Sequence, residues 1–518
     1  MASQYGVKYA VHIITSHFGN LVAKVCECLL RKGPLTLHNL IRFTELTPLQ
    51  VKNSLLVLIQ HNCVQAFIEE SGVGDGAKLN TQYIALFNNI IHRSRFSKFL
   101  AIVSKELGEE CLKLFEGLLQ HGRLTLAQIV DRAISSAKGS DIAPGAIRET
   151  FLKLLGSHFV ERCPAPEPVL SPPSQELPSS AKRGSKSAKL QKIETGTLEQ
   201  RVSEEAAPSE AMRFSLTIDT ESNVDGEKDE NDSSSSLVGE KRKYDALELD
   251  KEGEATNERV ILWCANFEEF IRRLRHKACI EHVRHLGDGA VIVLSAMLEA
   301  TRSAENKVKI DNSAPLSLNS IYEEVIKNDA GRNMTFDRVR SSLIELGCPP
   351  LVKAVNDSYI IDFKAIIDLA QNDEVESIVL KRYGQEAYKM FRALSQAGHL
   401  LETDKIAEQT FYEKKDTPKV LYKLWKEEYL QMEKLQITGA RQSQLLLWKV
   451  NKKNLWEHVL DEMFHAALNL SLRLAHELEK EKELLTPPQS RDRIIRVRLV
   501  LESAQIKLDD AIMLFHDF

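Results

Sequence analysis

The chain has 518 residues, too many for one hydrophobic core, and its 43% hydrophobic and 27% charged content lets most of that length bury apolar surface in separate domains. No stretch approaches the eighteen or more apolar residues of a membrane span, and the start MASQYGVKYAVHIITSHFGN has no basic lead into an apolar run, so a soluble intracellular protein with no membrane partner is expected. A formal net charge of -5 argues against a freestanding DNA-binding protein with a strongly basic face, and eight cysteines without paired spacing argue against a disulfide scaffold or a zinc site. Reduced, mostly buried thiols are expected.

In chain order, the first predicted unit runs over residues 1–90. Gly19 and Gly33 bracket an apolar-periodic helix, and the segment GPLTLHNLI (33–41) offers a very short strand and a second short helix. Thr47-Pro48 then starts a third helix, VKNSLLVLIQ, with Gln50 at capping-box spacing. Strands VQAFIEE (64–70) and QYIALF (82–87) follow, joined by the glycine-rich SGVGDG. The GVGDG stretch lacks the GxGxxG spacing and leads into a strand, so it reads as a hairpin tip and not as a phosphate loop.

The second unit, 91–163, repeats the ruler: Gly108 and Gly122 are again 14 residues apart, GRLTLAQIV follows, and Pro144-Gly145 precedes the helix AIRETFLKLL. Its strand HFVERC runs into Pro164, so its wing is missing, degenerate or supplied from beyond the next segment. That segment, 164–257, holds seven of the sixteen prolines, the serine run Ser233 to Ser236, and 12 Lys/Arg against 20 Asp/Glu, which leaves the rest of the chain at about +3. It reads as a mostly disordered acidic, serine- and proline-rich linker. Its basic clusters, Lys182/Arg183/Lys186/Lys189 and Lys241/Arg242/Lys243, fit nuclear-import signals, phosphate contacts or plain solvated charge.

A third unit is expected over 258–370, with APLSLNSIY (314–322), Thr335 before FDRVRSSLIEL, and strands LVKAV (351–355) and YIIDF (359–363). A fourth is expected over 371–451, with Gly384 and Gly398, GHLLETDKIA, Thr417-Pro418 before KVLYKLWKEEYL, and strands at 435–437 and 444–450. Three helices ending in a hairpin describe the winged-helix form of the helix-turn-helix. From 452 to 518, two apolar-periodic helices broken at Thr486-Pro487-Pro488 predict an antiparallel hairpin or short coiled coil. The fold expected is mainly α with small β-hairpins: four tandem winged-helix domains and a C-terminal helical hairpin.

No GxxxxGK[ST] loop, GxSxG elbow or HExxH helix occurs, so no catalytic site, cofactor or metal is expected. Cys279, His282 and His285 share helical spacing, but no fourth ligand of matching spacing stands nearby. For nucleic acid or an acidic partner there are three candidates. The helix FEEFIRRLRHKACIEHVRHLG (267–287) crowds Arg272, Arg273, Arg275 and Lys277 beside an apolar face; the third unit offers Arg338 and Arg340, balanced by Glu345; the fourth makes a stripe of Lys419, Lys423 and Lys426 preceded by Lys414 and Lys415. The third helix of the first unit is expected to expose Lys52, Gln60 and His61 with hardly any other charge, which equips it poorly to grip DNA. Dispersed charge predicts weak, sequence-tolerant, salt-sensitive binding, single-stranded DNA being the favoured form.

With that order in place, HFGNLVAKVCECLL, HFVERCP (158–164), ILWCANFEEFIRRLR (261–275) and ESIVLKRYGQEAYKMFRAL (376–394) carry a resemblance over nearly the whole chain. The sequence resembles the largest member of the three-subunit initiation subcomplex of RNA polymerase III, a relative of general transcription factor IIE. The resemblance implies a non-catalytic nuclear subunit that docks on the clamp of the polymerase's largest subunit and binds the two smaller subunits of the subcomplex. It further implies contact with promoter-bound initiation factors and stabilisation of opened promoter DNA, in the synthesis of small RNAs such as tRNA and 5S rRNA. A DNA-binding transcription factor and a winged-helix scaffold of another nuclear complex are the competing readings.

Overall fold

The computed structural model describes residues 3–71, 78–136, 144–170, 197–216, 261–302, 310–348, 358–437, 443–483 and 488–518. The GVGDG stretch, both basic clusters of the linker, the strand LVKAV and the Thr486-Pro487 break lie outside them.

The N-terminal unit comprises α1 (Gln4–Phe18), α2 (Asn20–Lys32), α3 (Leu37–Thr44), α4 (Pro48–Gln60), β1 (Val64–Ser71) and β2 (Lys78–Ala85), followed by α5 (Phe87–His92). Gly19 and Gly33 both take positive φ, and the Gly33 amide donates to the Leu29 carbonyl, so the last turn of α2 is closed by a residue free of a Cβ penalty. Thr47 caps α4 and forms the expected capping box with Gln50. β1 and β2 pair antiparallel from Val64↔Ala85 to Ser71↔Lys78, and Leu35 bridges Tyr83 as the short first strand.

The second unit has α6 (Phe96–Leu107), α7 (Glu109–His121), β3 (Leu124–Thr125), α8 (Leu126–Ser136), α9 (Pro144–Gly156) and β4 (Val160–Arg162). The segment expected to be disordered holds ordered pieces: β5 (Val169–Leu170), α10 (Leu198–Ala206) and α11 (Glu210–Arg213). β5 adds a parallel strand to β1, and Leu170 and Val202 bury against Phe67 and Ile84. Glu199 accepts from the Phe87 amide, and Arg162 donates to the Ser215 carbonyl. A few apolar residues in a polar run therefore suffice to hold it, because the first two units supply the apolar surface they lack.

Beyond that segment, β6 (Leu262–Ala265) returns to lie between β3 and β4, with Leu124↔Trp263 and Val160↔Ala265. Trp263, Phe270 and Ile271 fill the core of the second unit with Phe115, Phe151 and Phe159. The second unit's missing wing strand is thus supplied from across the linker, and a boundary at 258 cuts through its core. The helix that follows, α12 (Phe267–Val283), crosses from this core to the next, where Cys279 and Val283 are buried.

Next come α13 (Asp288–Thr301), β7 (Leu316–Ser317), α14 (Leu318–Lys327), α15 (Phe336–Glu345), capped by Thr335, and β8 (Ser358–Tyr359), which pairs with β7. A long α16 (Phe363–Tyr383) leads to α17 (Gln385–Ala397), β9 (Leu401–Glu402), α18 (Thr403–Thr410), α19 (Thr417–Lys426), β10 (Gln431–Ile437) and β11 (Ser443–Lys449). Thr417 is not the cap expected of it: Asp416 takes that place, and the buried Thr417 hydroxyl donates to the Glu413 carbonyl.

One local turn follows all four third helices, and α18 ends in it too, at Phe411 and Tyr412. After α4, α9, α15 and α19 a residue of positive φ (Asn62, His158, Gly347, Glu428) donates its amide three residues back, and the next residue (Cys63, Phe159, Cys348, Tyr429) donates five back. It aims the chain from third helix to wing.

The hairpin α20 (Lys452–Glu483) and α21 (Pro488–His516) is no separate appendage. Leu455, Val459, Met463 and Phe464 share one core with the N-terminal unit and the fourth unit, and Ile512 joins it. Ala467, one residue on from the exposed Ala466, is buried in the same core. Leu514 and Phe518 pack against the third unit's core, Phe518 also against the second's. Arg95, fully buried, donates to Asp509 at 2.9 Å and Asp517 at 2.5 Å. Against the upward push of burial, Arg95 and the neighbouring histidines hold the Asp517 carboxyl well below the usual range. No helix among the described residues is long and apolar enough to cross a membrane.

Candidate nucleic-acid interface

In a winged helix the third helix carries the exposed face that meets a partner. In α19, Pro418 sits in the first turn and Leu421 and Leu424 turn into the core, which leaves Lys419, Tyr422, Lys423 and Lys426 outward at i, i+3, i+4 and i+7. Tyr422 is 55% exposed, its ring 5.1 Å from that of Trp425. Lys414 pairs with Glu408 at 2.9 Å and Lys419 with Asp416 at 2.8 Å, both at the surface, where such pairs hold weakly. Lys423 stands 5.3 Å above the Tyr383 ring, and Lys415 and Lys426 are exposed. Phe411, in the left-handed conformation between α18 and α19, is 97% exposed. Ammonium groups interleaved with aromatic rings are what a single strand needs, phosphates held by charge and bases by stacking. Tyr422 was legible by counting three residues on from Lys419; Phe411 was not, since an apolar residue in a loop reads as core.

The arginines of α12 are placed otherwise. Arg272 is buried, bound to Glu269 and to the Arg302 carbonyl at 3.0 Å. Arg273 lies between Glu269 and Glu106, with its guanidinium 4.4 Å from the Phe159 ring. Arg275, also buried, donates to the Ile310 carbonyl at 2.9 Å beside the Phe363 ring. These three join the second unit to the third and are withdrawn from solvent; only Lys277 is exposed. The sequence pattern marked them as a basic surface because a helix crossing between two cores buries more than one face. Cys279 lies in a core, and His282 and His285 face each other with ring centroids 5.5 Å apart.

On α15, Arg338 and Arg340 are exposed, Arg338 within 3.7 Å of Glu345, beside Ile344 at 68% exposure. The exposed face of α4 is largely apolar: Leu49 is 67% and Leu56 65% exposed, with Lys52 and Asn53 between them. Gln60 and His61 are not outward as expected. Gln60 donates to the carbonyls of His121 and Arg123, and the His61 ring lies 4.7 Å from Phe18. Burial, with Arg93 and His121 nearby, pushes His61 down to about 4.

Three models of known families match this arrangement in chain order. The RNA polymerase III subunit RPC82 helix-turn-helix domain matches residues 8–69, RNA polymerase III subunit RPC82 matches 149–369, and the POLR3C C-terminal winged-helix domain matches 375–450. The chain belongs to the RNA polymerase III subunit RPC82 family. The central RPC82 match spans β4, β6 and the third unit without a break, in keeping with a second unit completed from across the linker. Among RPC82-family relatives, DNA-directed RNA polymerase III subunit RPC3 of Homo sapiens is 24% identical over 95% of this chain and 88% of its own length, and that of Danio rerio 25% over 95% and 87%. The subunit of Dictyostelium discoideum is 32% identical over 32% of this chain and 28% of its own.

Proposed function

We propose that this chain is a non-catalytic subunit of nuclear RNA polymerase III that acts in transcription initiation. In this reading it docks on the clamp of the largest subunit, binds the two smaller subunits of an initiation heterotrimer, meets promoter-bound factors and steadies opened promoter DNA. The observation that carries the DNA part is the outward face of α19, where Tyr422 stands among Lys419, Lys423 and Lys426. Among the other third helices α4 supports docking on protein: Leu49 and Leu56 suit an apolar partner, with Lys52 the one basic group between them. The same contrast weighs against a sequence-specific factor, which would set base-reading amides among its basic side chains.

A salt titration of single-stranded and duplex DNA binding by the full chain tests this. Single strands bind more tightly, and Lys423→Gln with Lys426→Gln lowers the slope of log affinity against log salt by roughly 1.4, about 0.7 per phosphate contact. Tyr422→Ala costs about 1–3 kcal/mol of affinity with the slope unchanged, as loss of a stacking platform should. Tight site-specific duplex binding, or binding indifferent to these three residues, contradicts the proposal.

A further inference from the structure

The recurring turn after the third helix does more than redirect the chain. Three residues beyond three of the four left-handed positions, on the first wing strand, stand Gln65, Glu161 and Gln431, partners to Asn62, His158 and Glu428. In the N-terminal unit this pair receives an arginine from a different unit: Arg123 Nε donates to Asn62 Oδ1 at 2.6 Å and Arg123 Nη2 to Gln65 Oε1 at 3.4 Å, with Arg123 buried. In the second unit the strand residue receives one from the linker segment: Arg213 Nε donates to the Glu161 carboxylate and its Nη2 to Glu268 at 3.0 Å, while the adjacent Phe214 ring stacks on His158 at 4.0 Å. The strand position three beyond the turn thus takes an arginine twice, each time from a segment outside the helical unit, while the turn residue shares the guanidinium in one case and stacks a ring in the other.

In the fourth unit the corresponding residues, Glu428 and Gln431, line a cavity of about 460 Å³ together with Trp425, Met432, Glu433 and His458. Glu433 is engaged by Lys449 at 2.7 Å, whereas the Glu428 carboxylate is 74% exposed, its partner being His458 at 3.3 Å. No arginine among the described residues lines the cavity. The C-terminal end of α19, the negative end of its dipole, abuts it.

We propose that this cavity is a receptor for an arginine side chain presented by a partner polypeptide. Glu428 supplies the charged acceptor where Asn62 supplies a neutral one, Gln431 repeats the role of Gln65, and Trp425 offers a ring face to the guanidinium plane. A planar, forked, weakly hydrated cation exploits all three, and a lysine ammonium only the charge. Carboxylates at the rim repel phosphate, so the occupant is protein and the site is distinct from the lysine face of α19.

The test uses the full chain labelled with 5-fluorotryptophan, its Trp425 resonance assigned by Trp425→Phe and followed as N-acetylarginine amide or N-acetyllysine amide is added. The Trp425 signal moves saturably with the arginine compound in the millimolar range, at roughly fivefold lower concentration than with the lysine compound. Glu428→Gln, at an exposed position that leaves the fold intact, weakens the arginine response by about threefold or more. An unmoved Trp425 signal, equal responses to the two compounds, or indifference to Glu428→Gln overturns the proposal. So does a Trp425 signal that shifts in the chain alone when Arg183 and Arg242 are replaced by Lys, since that would make the occupant this chain's own linker.

Discussion

Gly122 shows how much of this molecule hangs on single backbone positions. Its φ of +77° closes α7, as Gly33 closes α2 at +81°, yet the two differ in their surroundings. A Cβ on Gly33 meets nothing within 4 Å, whereas one on Gly122 meets the Gln60 carbonyl, to which the neighbouring Arg123 amide donates at 2.9 Å. Gly33→Ala therefore costs about 1 kcal/mol, the ordinary penalty of a side chain at positive φ. Gly122→Ala adds the 1–3 kcal/mol or so of an overpacked contact, because backbone cannot step aside as a side chain can. Chemical denaturation of the two variants checks the difference; equal losses would mean that the junction between the first two units yields freely.

At the scale of elements, what the sequence displayed was whatever is local. Glycines 14 residues apart, Thr-Pro starts and the Leu-Thr-Leu strands each act within a few residues, so α2, α7 and α17, the capping box at Thr47 and the short strands β3, β7 and β9 were legible. What depends on distant partners was not. β6 belongs to a sheet begun some 140 residues earlier, at β3, and its own residues do not say so. The basic run of α12 looked like a surface because, Glu269 apart, the carboxylates and carbonyls that absorb it, Glu106 and Ile310 among them, are remote in sequence. The lysine face of α19 was legible because a third helix shows its solvent side in its own periodicity, and the same periodicity hides Phe411, which no helix carries.

At the scale of the whole molecule, the C-terminal end of α21 is the point where the units meet. Residues 508–518 touch the core shared by the first and fourth units, pair with Arg95 and Lys98 at the start of the second, and reach the third through Leu514 and Phe518. Arg95→Ala leaves Asp517 buried without its guanidinium, while Asp509 keeps Lys98, so a loss of about 3–5 kcal/mol is expected, since removing one partner of a buried pair costs far more than the pair contributes. Amide exchange should then rise in the last turns of α21 and in α6 together. Exchange confined to α6 would contradict a shared anchor. A body clamped in this way, with apolar, basic and arginine-receiving faces pointing outward from its third helices, suits attachment to a larger machine. The measurement that bears most directly on that is affinity purification of the tagged chain from nuclear extract at moderate salt. The account predicts recovery of the large RNA polymerase III subunits with two smaller partners in comparable amounts; recovery of the chain alone, or within a different assembly, would contradict it.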